Sequence, residues 1–378
     1  MLLPLLLLSA LDATRLMALD AAVEAAIEEG QAPGAVVVIA RAGKVVYAKA
    51  FGTRAKGEPM TLDTLFDLAS LTKPVATASS IFKLIEAKKL RLEDPVAKYV
   101  PGFGAGVTVR QLLLHTSGLP AGGPTREFEK GKKAALKYLV GLSQKAEPDK
   151  KFVYSDLGYI LLGYIVEEVS GQSLDAFCQE QVFKPLKMKD TGFLPDKAMH
   201  PRIAPTTPDL RGTVHDPRAR ALGGVAGHAG LFGTAADLVL FAEALQNGGL
   251  LAPELNKTFL TPVAVPGGQR TPGWDARTAY SSNRGDHFAG FGHTGFTGTS
   301  IWIDPASRTT VIVLTSRLQN PKGNVIALRK TVATLAAKAI RTAPYPAGRD
   351  KPVEDGACSG RGREQGDASD GFAAYLEP

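Results

Sequence analysis

Residues 34 to 52 read GAVVVIARAGKVVYAKAFG. Two runs rich in β-branched residues flank Arg41-Ala42-Gly43-Lys44, a short turn built on a glycine, and that pattern predicts a β-hairpin. The pattern returns near the other end of the chain. Ser300-Ile301-Trp302-Ile303 and Thr310-Val311-Ile312-Val313-Leu314 flank Asp304-Pro305-Ala306-Ser307. Between the two hairpins the hydrophobic spacing is helical. Ser70 to Leu90 predicts one long helix, with Pro74 tolerated because it falls in the first turn. Thr108-Val109-Arg110-Gln111 has capping-box spacing and opens a helix that ends before Gly118. Ser155 to Ser170 and Leu174 to Phe183 predict two more, and Thr234-Ala235-Ala236-Asp237 caps another that runs through Leu245. Outside the hairpins, Leu16, Leu19, Val23, Ala26 and Ile27 recur on one helical face before a stop at Gly30, and Asn324 to Ile340 reads as a final helix. Strands at both ends and helices between them predict an α+β fold. The N- and C-terminal strands would join in one antiparallel sheet flanked by helices, with a mainly helical subdomain inserted.

The chain has 378 residues, 44% of them hydrophobic, enough to bury a large core. Its formal net charge of +7 is dispersed, with only short basic blocks such as Lys88-Lys89 and Lys130-Gly131-Lys132-Lys133. That is a solvated surface, and no nucleic-acid partner is expected. Cys178 and Cys358 are the only cysteines, so neither a disulfide framework nor zinc-ligand spacing exists, and neither metal nor cofactor is expected. Met1 to Ala10, MLLPLLLLSA, is too short to span a bilayer and suits the apolar core of a secretory signal, although no Lys or Arg precedes it. No other run is long and apolar enough to cross a membrane. The predicted organisation is a signal-like segment at 1–13, a main domain at 14–342, and a disordered tail at 343–378, where the composition shifts to Pro, Gly, Asp and Arg. A periplasmic or secreted location is expected, with a cytoplasmic one left open.

Several catalytic signatures are absent: no Gly-x-Ser-x-Gly elbow, no His-Glu-x-x-His and no phosphate-binding Gly-x-x-x-x-Gly-Lys. Gly290 to Gly295 matches Gly-x-Gly-x-x-Gly but precedes a strand rather than a helix, so a dinucleotide site fails on context. Ser-x-x-Lys occurs twice, at Ser70/Lys73 and at Ser80/Lys83. Residues three apart on a helix share a face, with roughly 5–6 Å between their Cβ atoms, so either lysine can reach its serine. Only Ser70 falls at a predicted helix start, where backbone N–H groups lack helical partners and the dipole end is positive. Those features stabilise a developing oxyanion. To accept a proton Lys73 must be neutral, and lowering an amine from ~10.4 by about three units costs roughly 4 kcal/mol. Taken singly, Ser70 also reads as a helix cap and Lys73 as a surface charge. Tyr154-Ser155-Asp156 reads equally as a packed tyrosine before a capped helix, and His293-Thr294-Gly295 as a turn with an exposed histidine.

Together and in this order, Ser70-Leu71-Thr72-Lys73, Tyr154-Ser155-Asp156 and His293-Thr294-Gly295 resemble the three signature motifs of class C β-lactamases. Related serine enzymes include D,D-peptidases, D-aminopeptidases and family VIII carboxylesterases. Leu112 to Leu119 (LLLHTSGL), LGYILLGYIVEEVSG and Gly224 to Phe232 (GVAGHAGLF) resemble the same superfamily, and the likeness covers roughly Leu16 to Ile340. The resemblance implies a β-lactamase/transpeptidase-like fold and an acyl-enzyme on Ser70. It also implies proton handling by Lys73 and Tyr154, and an oxyanion hole from the backbone N–H groups of Ser70 and Phe296. Asp156 would orient Lys73 and the substrate, and His293, Thr294 and Gly295 would line the strand that binds substrate. His115 and His228 are assigned structural roles.

Two positions depart from the pattern. Asp156 stands where class C enzymes have Asn, and a carboxylate there favours the charged form of Lys73. His293 stands where the lactamases have Lys, and an imidazole of pKa near ~6.5 is mostly neutral above pH 7. The expected activity is therefore cleavage of a short-chain ester or D-amino-acid peptide ahead of a β-lactam. The alternative is a catalytically idle, penicillin-binding-like sensor.

Overall fold

The computed structural model describes residues 13–104, 106–143, 145–279, 284–285, 289–320 and 323–339. The signal-like segment, apart from Ala13, and the tail at 343–378 lie outside the described residues.

Both hairpins form. Strands β1 (Gly34–Arg41) and β2 (Lys44–Ala55) join through Ala42 and Gly43, both at positive φ (47° and 80°), the handedness that matches strand twist in a two-residue turn. The remaining strands are β3 (Glu58–Pro59), β4 (Phe66–Asp67), β5 (Gly192–Phe193), β6 (Leu231–Gly233), β7 (Val263–Val265), β8 (Gly268–Thr271), β9 (Trp274–Arg277), β10 (Phe291–Thr294), β11 (Ser300–Asp304) and β12 (Thr309–Thr315). Nine of them make one antiparallel sheet in the order β3-β2-β1-β12-β11-β10-β9-β8-β7, while β4, β6 and β5 make a second, small one. The two terminal hairpins meet as predicted, β1 against β12, with Val37 opposite Val313.

The unbroken apolar run of β1 follows from burial on both faces. Ala35, Val37 and Ile39 pack with Leu19, Val23 and Ala26 of the helix Ala13–Glu28 and with Leu328, Val332 and Ala336 of the helix Ile326–Ala339. Val36, Val38 and Ala40 point into a larger core shared with the helices inserted between β2 and β10. Because successive side chains alternate faces, a one-residue slip of β1 would exchange the two cores, so the register is fixed by packing. Among the described residues, no helix is long and apolar enough to cross a membrane.

Two predictions need correction. The helix expected over Ser70 to Leu90 is three pieces: a 3-10 turn at Ala69–Leu71, a π-helical stretch at Lys73–Ala78 and an α-helix at Ser79–Glu86. Pro74 supplies no N–H, and the Ser79 hydroxyl takes up the Pro74 carbonyl at 2.9 Å. Lys88 then enters the left-handed region, φ 58°, which ends the helix before Leu90. The segment Leu174 to Phe183 likewise changes from α to π at Gln179. The strands β7 to β9, which extend the sheet beyond β10, have short and mixed polar sequences and escape the alternation test.

Candidate active site

Ser70 sits in a turn clamped from two sides. Ala69, just before it, has φ 47°, a conformation that costs a non-glycine residue roughly 1–2 kcal/mol. The surrounding bonds hold it there. The Ala69 N–H donates to Asp67 Oδ1 at 2.9 Å, and the Thr72 hydroxyl donates to the Ala69 carbonyl at 2.6 Å. From β6, the Leu231 carbonyl accepts the Leu68 N–H at 2.8 Å. From the turn between β10 and β11, the Thr297 and Thr299 hydroxyls donate to the Asp67 and Leu68 carbonyls at 2.7 and 3.1 Å. Gly295 makes that docking possible, since a Cβ there would lie 2.7 Å from the Leu68 carbonyl oxygen. Asp67 itself is buried, and desolvation lifts its carboxyl to about 6 despite the N–H groups of His215 and Ala69 that it accepts.

Lys73 opens the π-helical stretch and is fully buried. Its Nζ donates to Ser70 Oγ at 3.0 Å and to the His228 carbonyl at 3.0 Å, and it pairs with Asp156 Oδ1 at 2.7 Å. Burial disfavours its charge, but attraction to Asp156 and interaction with Tyr154 outweigh that, so Lys73 titrates above its usual value. Asp156 is opposed by burial too, yet Lys73, His228 and Arg218 bring it below the ordinary carboxylate value. The resting pair is therefore ammonium and carboxylate. The His228 carbonyl reaches Lys73 because Gly227 meets the helix Asp156–Ser170 closely: a Cβ on Gly227 would fall 1.9 Å from the Tyr159 carbonyl oxygen.

Tyr154 precedes that helix, whose N-cap is Ser155, its hydroxyl accepting the Gly158 N–H at 3.2 Å. Lys73 Nζ lies 5.0 Å from the Tyr154 ring centre. On its other sides the Tyr154 ring meets His115 at 4.5 Å and His293 at 5.9 Å, centre to centre. His115 closes the helix Val109–Leu114 in a left-handed conformation, and its Nδ1 accepts the Ser155 N–H at 3.0 Å. That bond sets the tautomer and aligns the ring beside Tyr154. His293 is buried and its Nδ1 lies 2.9 Å from the Thr294 carbonyl oxygen, an arrangement that requires Nδ1 to carry the proton. Burial, then Arg270 and Lys73, hold His293 well below the normal imidazole value, so it is neutral at pH 7. The β9 pairing with β10 is confined to Asp275–Gly292, leaving His293 to Gly295 beyond that contact. Phe296 follows in the turn, half-buried. Its ring stacks on His215 at 5.8 Å, and its carbonyl accepts from Arg317 Nε at 2.7 Å.

The sequence-predicted set thus gathers at one place: Ser70, Lys73, Tyr154, Asp156 and His293 are linked by direct contacts, and the Thr294–Phe296 turn is bolted to the Ser70 turn. Asp156, expected to help orient substrate, is buried at 3% exposure, with one oxygen on Lys73 and the other 3.0 Å from Arg218 NH2. It faces Lys73 rather than an open cleft. His228, structural by its sequence context, binds Lys73 through its carbonyl, and its Nε2 lies 2.9 Å from Asp216 Oδ1.

Three residues escaped sequence reasoning. Asp216 and Arg218 lie in Asp216-Pro217-Arg218-Ala219, where an Asp N-cap followed by Pro reads as an ordinary helix start, and it is one. Arg270, on the unpredicted strand β8, is fully buried. Among the described residues it pairs with Asp275 alone, at 3.6 Å, and none of its side-chain nitrogens has a hydrogen-bond partner there. A lone buried Arg in a polar stretch carries no sequence signal.

Residues 19–335 match the family model described as Beta-lactamase. A protein of Escherichia coli (strain K12) carrying the name "Putative D-alanyl-D-alanine carboxypeptidase" is 32% identical over 349 residues, 76% of this chain and 79% of that protein. An N-acetylmuramyl-L-alanine amidase of Bacillus subtilis (strain 168) is 31% identical, covering 76% of this chain and 78% of its own length. Among solved structures, EstCE1, a hydrolase with promiscuous acyltransferase activity, superposes with TM-score 0.71 at 25% identity over 86% of this chain and 98% of that one. A class C beta lactamase from Rhodobacter sphaeroides shares the fold with TM-score 0.67 at 23% identity, over 84% and 97% of the two chains.

Proposed function

This chain belongs to the beta-lactamase family, and from that premise we propose that it is a serine hydrolase whose nucleophile is Ser70, acting on short-chain esters and D-amino-acid peptides ahead of β-lactams. The observation that carries the reading is the 3.0 Å contact between Ser70 Oγ and the fully buried amine of Lys73, itself 2.7 Å from Asp156.

Lys73 rests charged, so it becomes a base by first handing one proton to Asp156 across their contact. The amine then removes the Ser70 hydroxyl proton as Oγ bonds to the substrate carbonyl carbon. The backbone N–H groups of Ser70 and Phe296 receive the developing oxyanion. Collapse of the tetrahedral species breaks the bond to the leaving group, which takes a proton relayed through Tyr154. Water then attacks the acyl-enzyme with the same groups in reverse, releasing the acid and restoring Ser70.

The substrate order follows from charge. A β-lactam presents a carboxylate beside its ring, and a neutral, buried His293, whose proton sits on Nδ1 against the Thr294 carbonyl, offers it neither an ion pair nor a hydrogen-bond donor. Arg270 acts on His293 electrostatically, yet has no exposed surface with which to meet a substrate. Names on both sides of the comparison, a "Putative D-alanyl-D-alanine carboxypeptidase", an amidase and a hydrolase with promiscuous acyltransferase activity, are compatible with acyl transfer from ester and amide bonds.

The test is kcat/KM for p-nitrophenyl butyrate, a D-alanyl peptide amide, which like the ester has no carboxylate beside the scissile bond, and a cephalosporin under one set of conditions. Ester and peptide turnover at least ~10-fold above the cephalosporin is expected, the scale of one lost charge-assisted bond. Faster cephalosporin turnover would contradict the substrate order.

A further inference from the structure

Around Lys73 the charges close into a ring. Lys73 Nζ meets Asp156 Oδ1 at 2.7 Å, and Asp156 Oδ2 meets Arg218 NH2 at 3.0 Å. Arg218 NH2 lies 3.5 Å from Asp216 Oδ2, and Asp216 Oδ1 lies 2.9 Å from His228 Nε2. The His228 carbonyl, 3.0 Å from Lys73 Nζ, completes the circuit. Arg218 is 7% exposed and anchored by NH1 to the Gly123 carbonyl at 3.3 Å, and Gly122 leaves it room, since a Cβ there would be 2.8 Å from NH1.

We propose that Arg218 is a positioning residue that sets the proton affinity of the Lys73–Asp156 pair by occupying the carboxylate oxygen that Lys73 does not use. The proposal rests on the reading of Ser70 and Lys73 as nucleophile and base. Its physics is that of one shared anion. With both oxygens engaged, Asp156 divides its charge between two cations, and the guanidinium, two bonds round the ring, opposes the ammonium state of Lys73. Without Arg218, Asp156 belongs to Lys73 alone and the ammonium is held more tightly.

The other groups facing Lys73 do not substitute for it. Ser70 is neutral, Tyr159 presents its ring at 5.8 Å, and Tyr154, its ring at 5.0 Å, also favours the Lys73 ammonium by hydrogen bonding and electrostatics, an interaction that every Arg218 variant keeps. His115 and His293 are buried, neutral imidazoles. Arg270 is buried and is paired only loosely, with Asp275. Asp216 and His228 belong to the ring and also act on Asp156 directly, His228 favouring its carboxylate and Asp216 opposing it, with atoms of the three side chains within 4.8 Å of one another; every Arg218 variant keeps both. Arg218 is thus a second cation in direct contact with Asp156, on the oxygen that Lys73 leaves open.

The measurement is the pH dependence of Ser70 acylation by a fluorophosphonate, read as labelling rate, for the wild type, Arg218→Gln, Arg218→Met and Arg218→Lys. The wild-type rate falls on the acid side as the pair gains a proton. In Arg218→Gln that limb moves up by about one unit, the effect of removing one nearby opposite charge from the carboxylate, so labelling on the limb drops about 10-fold while the plateau is regained at higher pH. Arg218→Met carries the same expectation should Gln not fold, because Met keeps the length without a polar group. Arg218→Lys restores the wild-type limb. In an Asp156→Asn background Arg218→Gln leaves the limb where Asn put it. A rate loss equal at every pH, with the limb unmoved, would overturn the proposal and leave Arg218 a structural residue. A wild type that never labels would instead remove the nucleophile reading beneath it.

Discussion

Ser70-x-x-Lys73 and Ser80-x-x-Lys83 are the same pattern ten residues apart on one stretch of chain, and their surroundings have nothing in common. The Ser70 hydroxyl meets a buried ammonium at 3.0 Å in a turn clamped by β6 and the turn between β10 and β11. The Ser80 hydroxyl donates into its own helix, to the Ala76 carbonyl at 2.8 Å, and touches Cys178 Sγ at 3.2 Å. Lys83 turns to the surface and pairs with Glu86 at 3.0 Å. One copy runs from a 3-10 turn into the first residue of a π-helical stretch, and the other sits in regular α-helix. The spacing supplies reach alone. Reactivity needs the strained entrance, the π-helical turn that brings Lys73 inward, and the buried carboxylate that holds it.

Exchanging alanine for each serine is the severest trial of that contrast. Ser70→Ala is expected to lose at least ~10³-fold in ester turnover, the scale seen when a nucleophile is deleted, whereas Ser80→Ala stays within about threefold of wild type. Comparable losses in both variants would erase the distinction.

Next in size is the carboxylate that separates the two lysines. Asp156→Leu leaves Lys73 and Arg218 buried without their shared anion, and urea denaturation at pH 7 is expected to register a loss of about 3–5 kcal/mol. Asp156 titrates below its unfolded value near 3.8, so its contribution is complete above that pH and is lost as the pH falls through the lowered value. Lys73 titrates above 10.5, so its share is complete below that pH and is lost as the pH rises through the raised value. The gap between wild type and variant is therefore expected to be flat across neutral pH and to narrow below about 3.8. A gap that grew on acidification would contradict the ion pair.

Smaller effects sharpen the comparison. Thr297→Val removes the hydroxyl bond to the Asp67 carbonyl that helps clamp the Ser70 turn, and a loss of about 1 kcal/mol in stability is expected together with slower labelling. Lys83→Ala gives up a partly exposed surface pair and is expected to change stability by no more than about 0.5 kcal/mol, with activity untouched. A larger cost at Lys83 would mean that the second copy is not idle.

The parts of the molecule that sequence made legible are those where one interaction dominates. The β1 run from Ala35 to Ala40 and the β12 run from Val311 to Leu314 are apolar because both faces are buried, and Thr108, Ser155 and Thr234 cap helices because their hydroxyls accept N–H groups that nothing else can satisfy. Ser70, Lys73, Tyr154 and His293 were legible as ordered motifs. What stayed hidden is set by tertiary contact. Pro74 signals an early helix position but not a change to π-helical spacing. Arg218 acts 62 residues from Asp156, inside a segment whose local reading as a capped helix is complete without it. Arg270 lies on a four-residue strand that is recognisable only once its neighbours are in place.

The central claim concerns which hydroxyl reacts. Treating the folded protein with a fluorophosphonate and mapping the adduct by peptide mass spectrometry should find a single phosphonylated residue, Ser70, absent in Ser70→Ala and retained in Ser80→Ala. An adduct on Ser80, or one that survives the Ser70→Ala change, would contradict the account.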